Sequence, residues 1–576
     1  MNLKNIVTIF SFFIIGGSQL VAQNTGKSKK NKSRKVEETP IVTADEIQPV
    51  SNPNSKSIPA DASLINNVPS EQPKNSNYKI IPYQRPYSVN KENRVGVYPK
   101  QKNTKQWDGR SPGIYSVRFK MKGLKPGETV YIADHHIGGK YLRDTAIVDK
   151  KGIANFTGNF WLQRGMYLFV LPEKKDYFEF LIDDDQDFQI NCDTSWYEHD
   201  YYAKMTVEGS EENDRFVKYQ MGKMQSIQKL IEVDQQMQTD STPANLARLN
   251  PIKEQYLREK NQFDSLYISK NPNSMLARFL LAMQPVTIPQ ELPTKADGTK
   301  DSTFPYRYYR NHYWDNVDFN EDALVRMPVN VLKMKLDGFF DKIIVPDADT
   351  CIDACNFLLE KAKNSVENEK YLIWYLTNRF ESSNIMGLDR VFVHMALGYY
   401  CQGKTWWVDS TTVSKMCENA YRRSHSLIGA PAADLQLKNQ DSVWINTNSI
   451  KAPYTIMMFW DPTCGHCKEI MPKIAKIYAE NKQKGWKVVT LASGDKKKEW
   501  YEYLAKHPEI SEFTNLIRGE VLAQKYADAL YSYYVIASPT IYLLDENKKI
   551  VANRIDAEKI VEFIAHLDSL KTAKTQ

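Results

Sequence analysis

Residues 454–467 read Tyr-Thr-Ile-Met-Met-Phe-Trp-Asp-Pro-Thr-Cys-Gly-His-Cys, and this stretch decides the architecture of the last quarter of the chain. Thr455–Trp460 is an apolar run of the kind a strand shows when both its faces are buried. From Lys468 to Asn481 the spacing changes to that of an amphipathic helix, with Pro472 inside it. Cys464 and Cys467 therefore fall where a buried strand hands over to a helix.

That placement has chemical content. The first turn of a helix carries unpaired N–H groups and partial positive charge. Both favour a thiolate at Cys464. Cys467, one turn deeper, is expected to be more buried and less acidic. Cys464 is then the sulfur that attacks a partner disulfide, and Cys467 the one that resolves the mixed disulfide. His466 between them can favour the Cys464 thiolate, or stand as an exposed polar residue. The competing readings of the pair are a zinc site and an inert structural disulfide. Zinc takes about four ligands, and within 426–576 the remaining candidates, His507 and His566, stand alone. No metal is therefore expected.

Working outward, Trp486–Ala492 and Thr540–Leu544 read as further buried strands. Lys496–Lys506 and Ala557–Leu570 read as helices. The order β-α-β-α-β-β-α gives a sheet with helices on both faces for residues 426–576.

The segment Phe459-Trp460-Asp461-Pro462-Thr463-Cys464-Gly465-His466-Cys467 resembles the active-site segment of thioredoxin-like proteins, in particular the envelope proteins of the TlpA/ResA type. Its Cys-Gly-His-Cys core also matches that of protein disulfide isomerase. Ala537-Ser538-Pro539-Thr540 resembles the family's cis-proline loop. The resemblance implies a thiol-disulfide oxidoreductase acting on protein thiols or disulfides and exchanging electrons with an upstream redox partner, with no cofactor. It makes Cys464 and Cys467 catalytic, with Trp460, Gly465 and His466 supporting them. Pro539 is expected to be cis beside the cysteines, and Ser538 to offer backbone hydrogen bonds to a substrate strand. Two departures stand out. Met458 occupies the place of the family's buried Asp, so the proton acceptor for Cys467 is unassigned. Thr463 replaces the Trp that usually precedes the first Cys. The Pro-x-x-x-Thr-x-x-Cys pattern of peroxiredoxins is absent.

Upstream, residues 113–208 alternate apolar and polar at Tyr115–Phe119, Thr129–Ile132 and Tyr177–Ile182. Turn signals such as Lys125-Pro126-Gly127, Gly138-Gly139 and Asp183-Asp184-Asp185 separate them. An antiparallel β-sandwich-like domain is expected there. Residues 209–425 change to helical spacing, as in Val331, Met334, Leu336 and Phe339, with Asp389 placed to cap a later helix and irregular pieces near 285–320. Gly123-Leu124, Gly138–Tyr141 and Gly209–Asn213 resemble an uncharacterised β domain found before envelope thioredoxins. Asp389–His394 and Trp407-Val408-Asp409 resemble the helical domain that often lies between. The chain is thus multidomain.

The start of the chain reads as an export signal. Lys4 precedes an apolar run from Ile6 to Gly17, and Leu20-Val21-Ala22 offers a cleavage site, so residues 1–22 are a signal peptide and the protein is placed in the periplasm or cell envelope. A retained N-terminal anchor, with membrane association, is the alternative. Residues 23–112, rich in Asn, Ser, Lys and Pro, read as a disordered linker. The net charge of +7 is matched by seven Lys or Arg before Glu37, so the folded remainder is neutral and gives no case for nucleic acid.

Seven cysteines in 576 residues exclude a disulfide-stapled scaffold. Cys192, Cys351, Cys355, Cys401 and Cys417 read as packing residues. His135-His136 lacks a third ligand for a metal, and Asp183–Asp185 reads as a solvated turn rather than a calcium loop. The rival reading of the whole is a non-enzymatic envelope interaction protein that uses its thioredoxin-like domain for docking.

Overall fold

Alternation from Tyr115 to Met121 puts Tyr115, Val117, Phe119 and Met121 on one buried face, and strand β1 (Tyr115–Met121) forms accordingly. A computed structural model of the chain describes residues 115–158, 160–174, 176–192, 201–493, 496–517 and 532–575. The signal and linker readings, on residues 1–112, lie outside the described residues. No helix among the described residues is long and apolar enough to cross a membrane.

The chain divides into two compact units. One includes 115–343 and 359–371, the other 344–358 and 372–575. In the first, β1 is joined by β2 (Thr129–His136), β3 (Gly139–Ile147), β4 (Ile153–Gly158), β5 (Gly165–Val170), β6 (Tyr177–Ile182), β7 (Asp187–Cys192) and β8 (Met205–Glu208). They make two four-stranded sheets, ordered β4-β1-β7-β8 and β3-β2-β5-β6. Both contribute to one core in which Phe119 stacks on Phe169 at 4.1 Å. The expected sandwich is therefore present, with one parallel pair, β1 with β7.

Helices α1 (Glu211–Thr239), α2 (Pro243–Lys270), α3 (Met275–Met283), α4 (Phe304–His312) and α5 (Val331–Lys342) follow. Ser210 caps α1 by accepting from the Asn213 N–H. Within the unit the hairpin after β2 is tied to the helical chain. Ile137 N–H donates to the Val325 carbonyl at 2.8 Å, and buried Arg326 pairs with Asp134 and Glu367. His135 meets Glu179 at 3.1 Å. Asp183 pairs with Arg164, while Asp184 and Asp185 stay exposed at the turn.

Helices α6 (Ala348–Ala362) and α7 (Val366–Glu381) have residues in both units, and α8 (Asp389–Met395) and α9 (Ser410–Ser424) belong to the second. Asp389 does not cap α8 as expected. It lies in the first turn, and its carboxylate accepts from Asn553 at 2.8 Å and pairs with Arg554 at 3.2 Å. Cys351 and Cys355 are buried free thiols. Cys401 and Cys417 are not merely packed: they form a disulfide. Cys401 ends a π-helical segment, Ala396–Tyr400, and its N–H reaches back to the Ala396 carbonyl.

The last segment adds β9 (Gln436–Asn439), β10 (Trp444–Asn446), β11 (Tyr454–Trp460), helix α10 (Gly465–Asn481), β12 (Lys487–Ala492), α11 (Lys497–Lys506), β13 (Thr514–Ile517), β14 (Thr540–Asp545), β15 (Ile550–Asn553) and α12 (Ile560–Thr575). Its seven-stranded sheet runs β10-β9-β13-β12-β11-β14-β15. The hairpin β9–β10 and strand β13 were not anticipated. Central β11 runs parallel to β12 and antiparallel to β14, and every residue of it is buried. Ile456, Met458 and Trp460 face one core with residues of α10, α11 and α12. Met457 and Phe459 face the other, with Ala432, Leu435 and Tyr533.

Candidate active site

Three short pieces of chain converge at the C-terminal end of β11. They are the turn 461–464, the start of α10, and the loop before β14. β11 delivers Trp460 into the core, 1% exposed, with its ring edge-on to Tyr503 at 5.0 Å. The chain then turns, with the Cys464 N–H donating to the Asp461 carbonyl at 3.1 Å.

Cys464 is the N-cap of α10. Its backbone is extended, and its sulfur accepts from the Cys467 N–H at 3.4 Å. A sulfur here stands where Ser or Asp usually caps, in contact with the positive end of the helix. It is half-buried, whereas Cys467 is fully buried. Both are free thiols. The Asp461 N–H points at the Cys467 sulfur from 3.5 Å. Burial pushes the Cys467 thiol well above an ordinary thiol. The backbone bond from Asp461 works against this rise, and the neighbouring Cys464 and Asp461 charges add to it.

The third piece is Ser538-Pro539, whose peptide bond is cis. The Cys464 thiol donates to the Ser538 carbonyl at 3.6 Å. The loop therefore lies against the more accessible sulfur. Trp460, Cys464, Cys467, Ser538 and Pro539 thus fall in one place. His466 points outward, with its Nδ1 3.3 Å from Glu469 Oε2. Gly465 opens the helix in free space, since a Cβ there would meet nothing within 4 Å. Met458 is fully buried in the apolar core, so no carboxylate stands at that position.

Two residues at the site were not identified from the sequence. The Asp461 carboxylate accepts from the Thr463 N–H and hydroxyl, each at 2.7 Å, and from Lys496 Nζ at 2.7 Å. Lys496 also reaches the Thr463 hydroxyl at 2.6 Å. These bonds hold the Asp461 carboxyl at about 2 although partial burial opposes them. Asp461 lies three residues before Cys464, which was a usable signal. Lys496 is one of three consecutive lysines, and nothing local distinguishes it. Among the described residues no group of three or more His, Cys, Asp or Glu could hold a metal ion.

A central β11 flanked by parallel β12 and antiparallel β14, a Cys-x-x-Cys helix start and an opposing cis-proline loop define a thioredoxin-like domain. Residues 453–550 match the thioredoxin-like family model. Residues 259–424 and 115–216 match two domains of unknown function, DUF5106 and DUF4369. The chain therefore carries a thioredoxin-like domain near its C-terminal end, with two domains of unknown function upstream. No curated protein matches it.

Solved structures similar to parts of it include a domain of a possible thiol-disulfide isomerase from Cytophaga hutchinsonii, 29% identical, covering 26% of this chain and 97% of that one, with a TM-score of 0.24. A thioredoxin-like protein from Bacteroides caccae is 17% identical over 49% of this chain and 100% of that one, with a TM-score of 0.38. The thioredoxin domain of a thiol-disulfide oxidoreductase from Bacteroides vulgatus is 21% identical over 24% and 96%, with a TM-score of 0.23.

Proposed function

We propose that this chain is an exported thiol-disulfide oxidoreductase that exchanges disulfides with protein substrates through Cys464 and Cys467. The observation that carries the reading is the pairing of an accessible sulfur at a helix N-terminus with a buried one a turn below it. The Cys464 thiolate attacks one sulfur of a substrate disulfide, and the other substrate sulfur leaves as a thiolate. Cys467 then loses its proton and attacks Cys464. The Cys464–Cys467 bond forms, the mixed disulfide breaks, and two electrons have passed to the substrate. The reverse sequence oxidises a substrate dithiol. A substrate segment lying along Ser538 would add as a strand and bring its sulfur to Cys464.

Location outside the reducing cytosol is supported by the Cys401–Cys417 disulfide in the same unit, together with the signal-like residues 1–22. The rival reading, a non-enzymatic envelope interaction protein, is favoured by Met458, which leaves the buried sulfur without the family's acid. Insulin reduction by the full-length protein separates the two. Activity lost in Cys464→Ser supports the enzyme. Activity equal to that variant's in the parent protein would leave only the docking role.

A further inference from the structure

Asp461 touches both cysteines through its backbone. Its carbonyl accepts from Cys464 N–H at 3.1 Å, and its N–H donates to the Cys467 sulfur at 3.5 Å. Its own conformation is set by its side chain, which closes a turn onto Thr463 and meets Lys496 at 2.7 Å. The ion pair is partly sheltered, with side-chain exposures of 23% for Asp461 and 32% for Lys496. A sheltered carboxylate held by two hydrogen bonds and a cation is a rigid device rather than a solvated surface pair.

We propose that Asp461 and Lys496 form a positioning pair for the resolving sulfur, fixing the turn that aims one backbone N–H at Cys467 and one carbonyl at Cys464. The proposal rests on the oxidoreductase reading for its purpose, though not for its test. Met458 leaves no acid in the core beneath the site, and the pair lies beyond the end of β11. It does not supply a buried base under Cys467. It places a balanced charge beside it, with the carboxylate opposing the Cys467 thiolate and the lysine offsetting the carboxylate. The other titratable groups around Cys467 are Cys464, Tyr503 of α11, and His466 with Glu469 on its own helix. Cys464 is replaced by Ser in every protein compared below, and the other groups are unchanged.

The test measures alkylation of Cys467 by iodoacetamide at fixed pH, read by peptide mass spectrometry, in full-length Cys464→Ser protein. Asp461→Asn keeps the turn acceptor and the backbone N–H and removes the negative charge, so Cys467 reacts about tenfold faster. Lys496→Met leaves the carboxylate unbalanced, so Cys467 reacts about tenfold slower, and Lys496→Arg restores the parent rate. A purely structural role predicts that both substitutions loosen the turn and speed the reaction together. Rates that move in the same direction, or stay at the parent value, overturn the proposal. Alkylation needs no substrate. Divergent alkylation rates, where the protein with both cysteines reduces no insulin, would sink the enzyme reading alone, and unchanged rates where that protein is active would sink only this one.

Discussion

The thiol of Cys464 donates to the carbonyl oxygen of Ser538 at 3.6 Å, across 74 residues of sequence. The accessible sulfur is thus engaged from two sides, by this carbonyl and by the Cys467 N–H. On the proposed mechanism a substrate sulfur competes with the first contact.

Replacing each cysteine separates attack from resolution. Cys464→Ser is expected to reduce insulin no faster than buffer with dithiol alone. Cys467→Ser is expected to form mixed disulfides that persist, visible as higher bands on non-reducing gels that vanish with reductant. Equal trapping by both variants would contradict the division of labour.

The resolving step should carry a steep pH dependence. The Cys467 thiol is raised by burial, so only a small fraction is ionised near neutrality. Below its pKa the thiolate fraction grows about tenfold per pH unit. Decay of a preformed Cys464 mixed disulfide, followed in a single turnover, should accelerate by about that factor from pH 7 to 8. A flat profile would mean another step limits.

In the first unit, His136 is held neutral. Burial, with Arg326 and Arg143 nearby, lowers it to about 4. The folded state refuses a proton that the unfolded chain accepts near 6.5. Stability is therefore full above that value and lost as pH falls toward 4, by about 3 kcal/mol at ~1.4 kcal/mol per unit. Protection factors of β2 amides, corrected for the intrinsic pH dependence of exchange, should fall over that window, and His136→Phe should flatten the effect.

The Cys401–Cys417 bridge closes a loop across a separation of 16 residues. A loop of that size contributes about 3 kcal/mol by restricting the unfolded chain. Cys401→Ser with Cys417→Ser should lower the denaturant midpoint of the second unit. It should leave Cys464 alkylation at the parent rate.

What the sequence showed, and what it hid, follows from the range of the interactions. β11 was legible because seven consecutive buried residues need no knowledge of partners. The cysteine pair was legible because strand, motif and helix are contiguous. Strands β9, β10 and β13 were not, since Gln436–Asn439 and Trp444–Asn446 are short and partly polar, and β13 holds only four residues. Asp389 looked like a cap because Asp caps are local, but its partners Asn553 and Arg554 lie some 160 residues away. The Cys401–Cys417 pairing depends on how a π-helical turn faces α9, which no spacing rule encodes. Met458 drew attention to a missing acid, and the charged pair beyond the end of β11, Asp461 with Lys496, joins residues 35 apart.

If the cap of α10 is the attacking atom, as proposed above, the helix cannot keep its full complement of N-terminal bonds each time that sulfur joins another. A neutral disulfide sulfur accepts more weakly than a thiolate, so the Cys467 amide is less well protected whenever Cys464 is joined to another sulfur. That single amide proton is a built-in gauge of occupancy. Its exchange with solvent reports the time Cys464 spends in any disulfide, internal or mixed, with no label added.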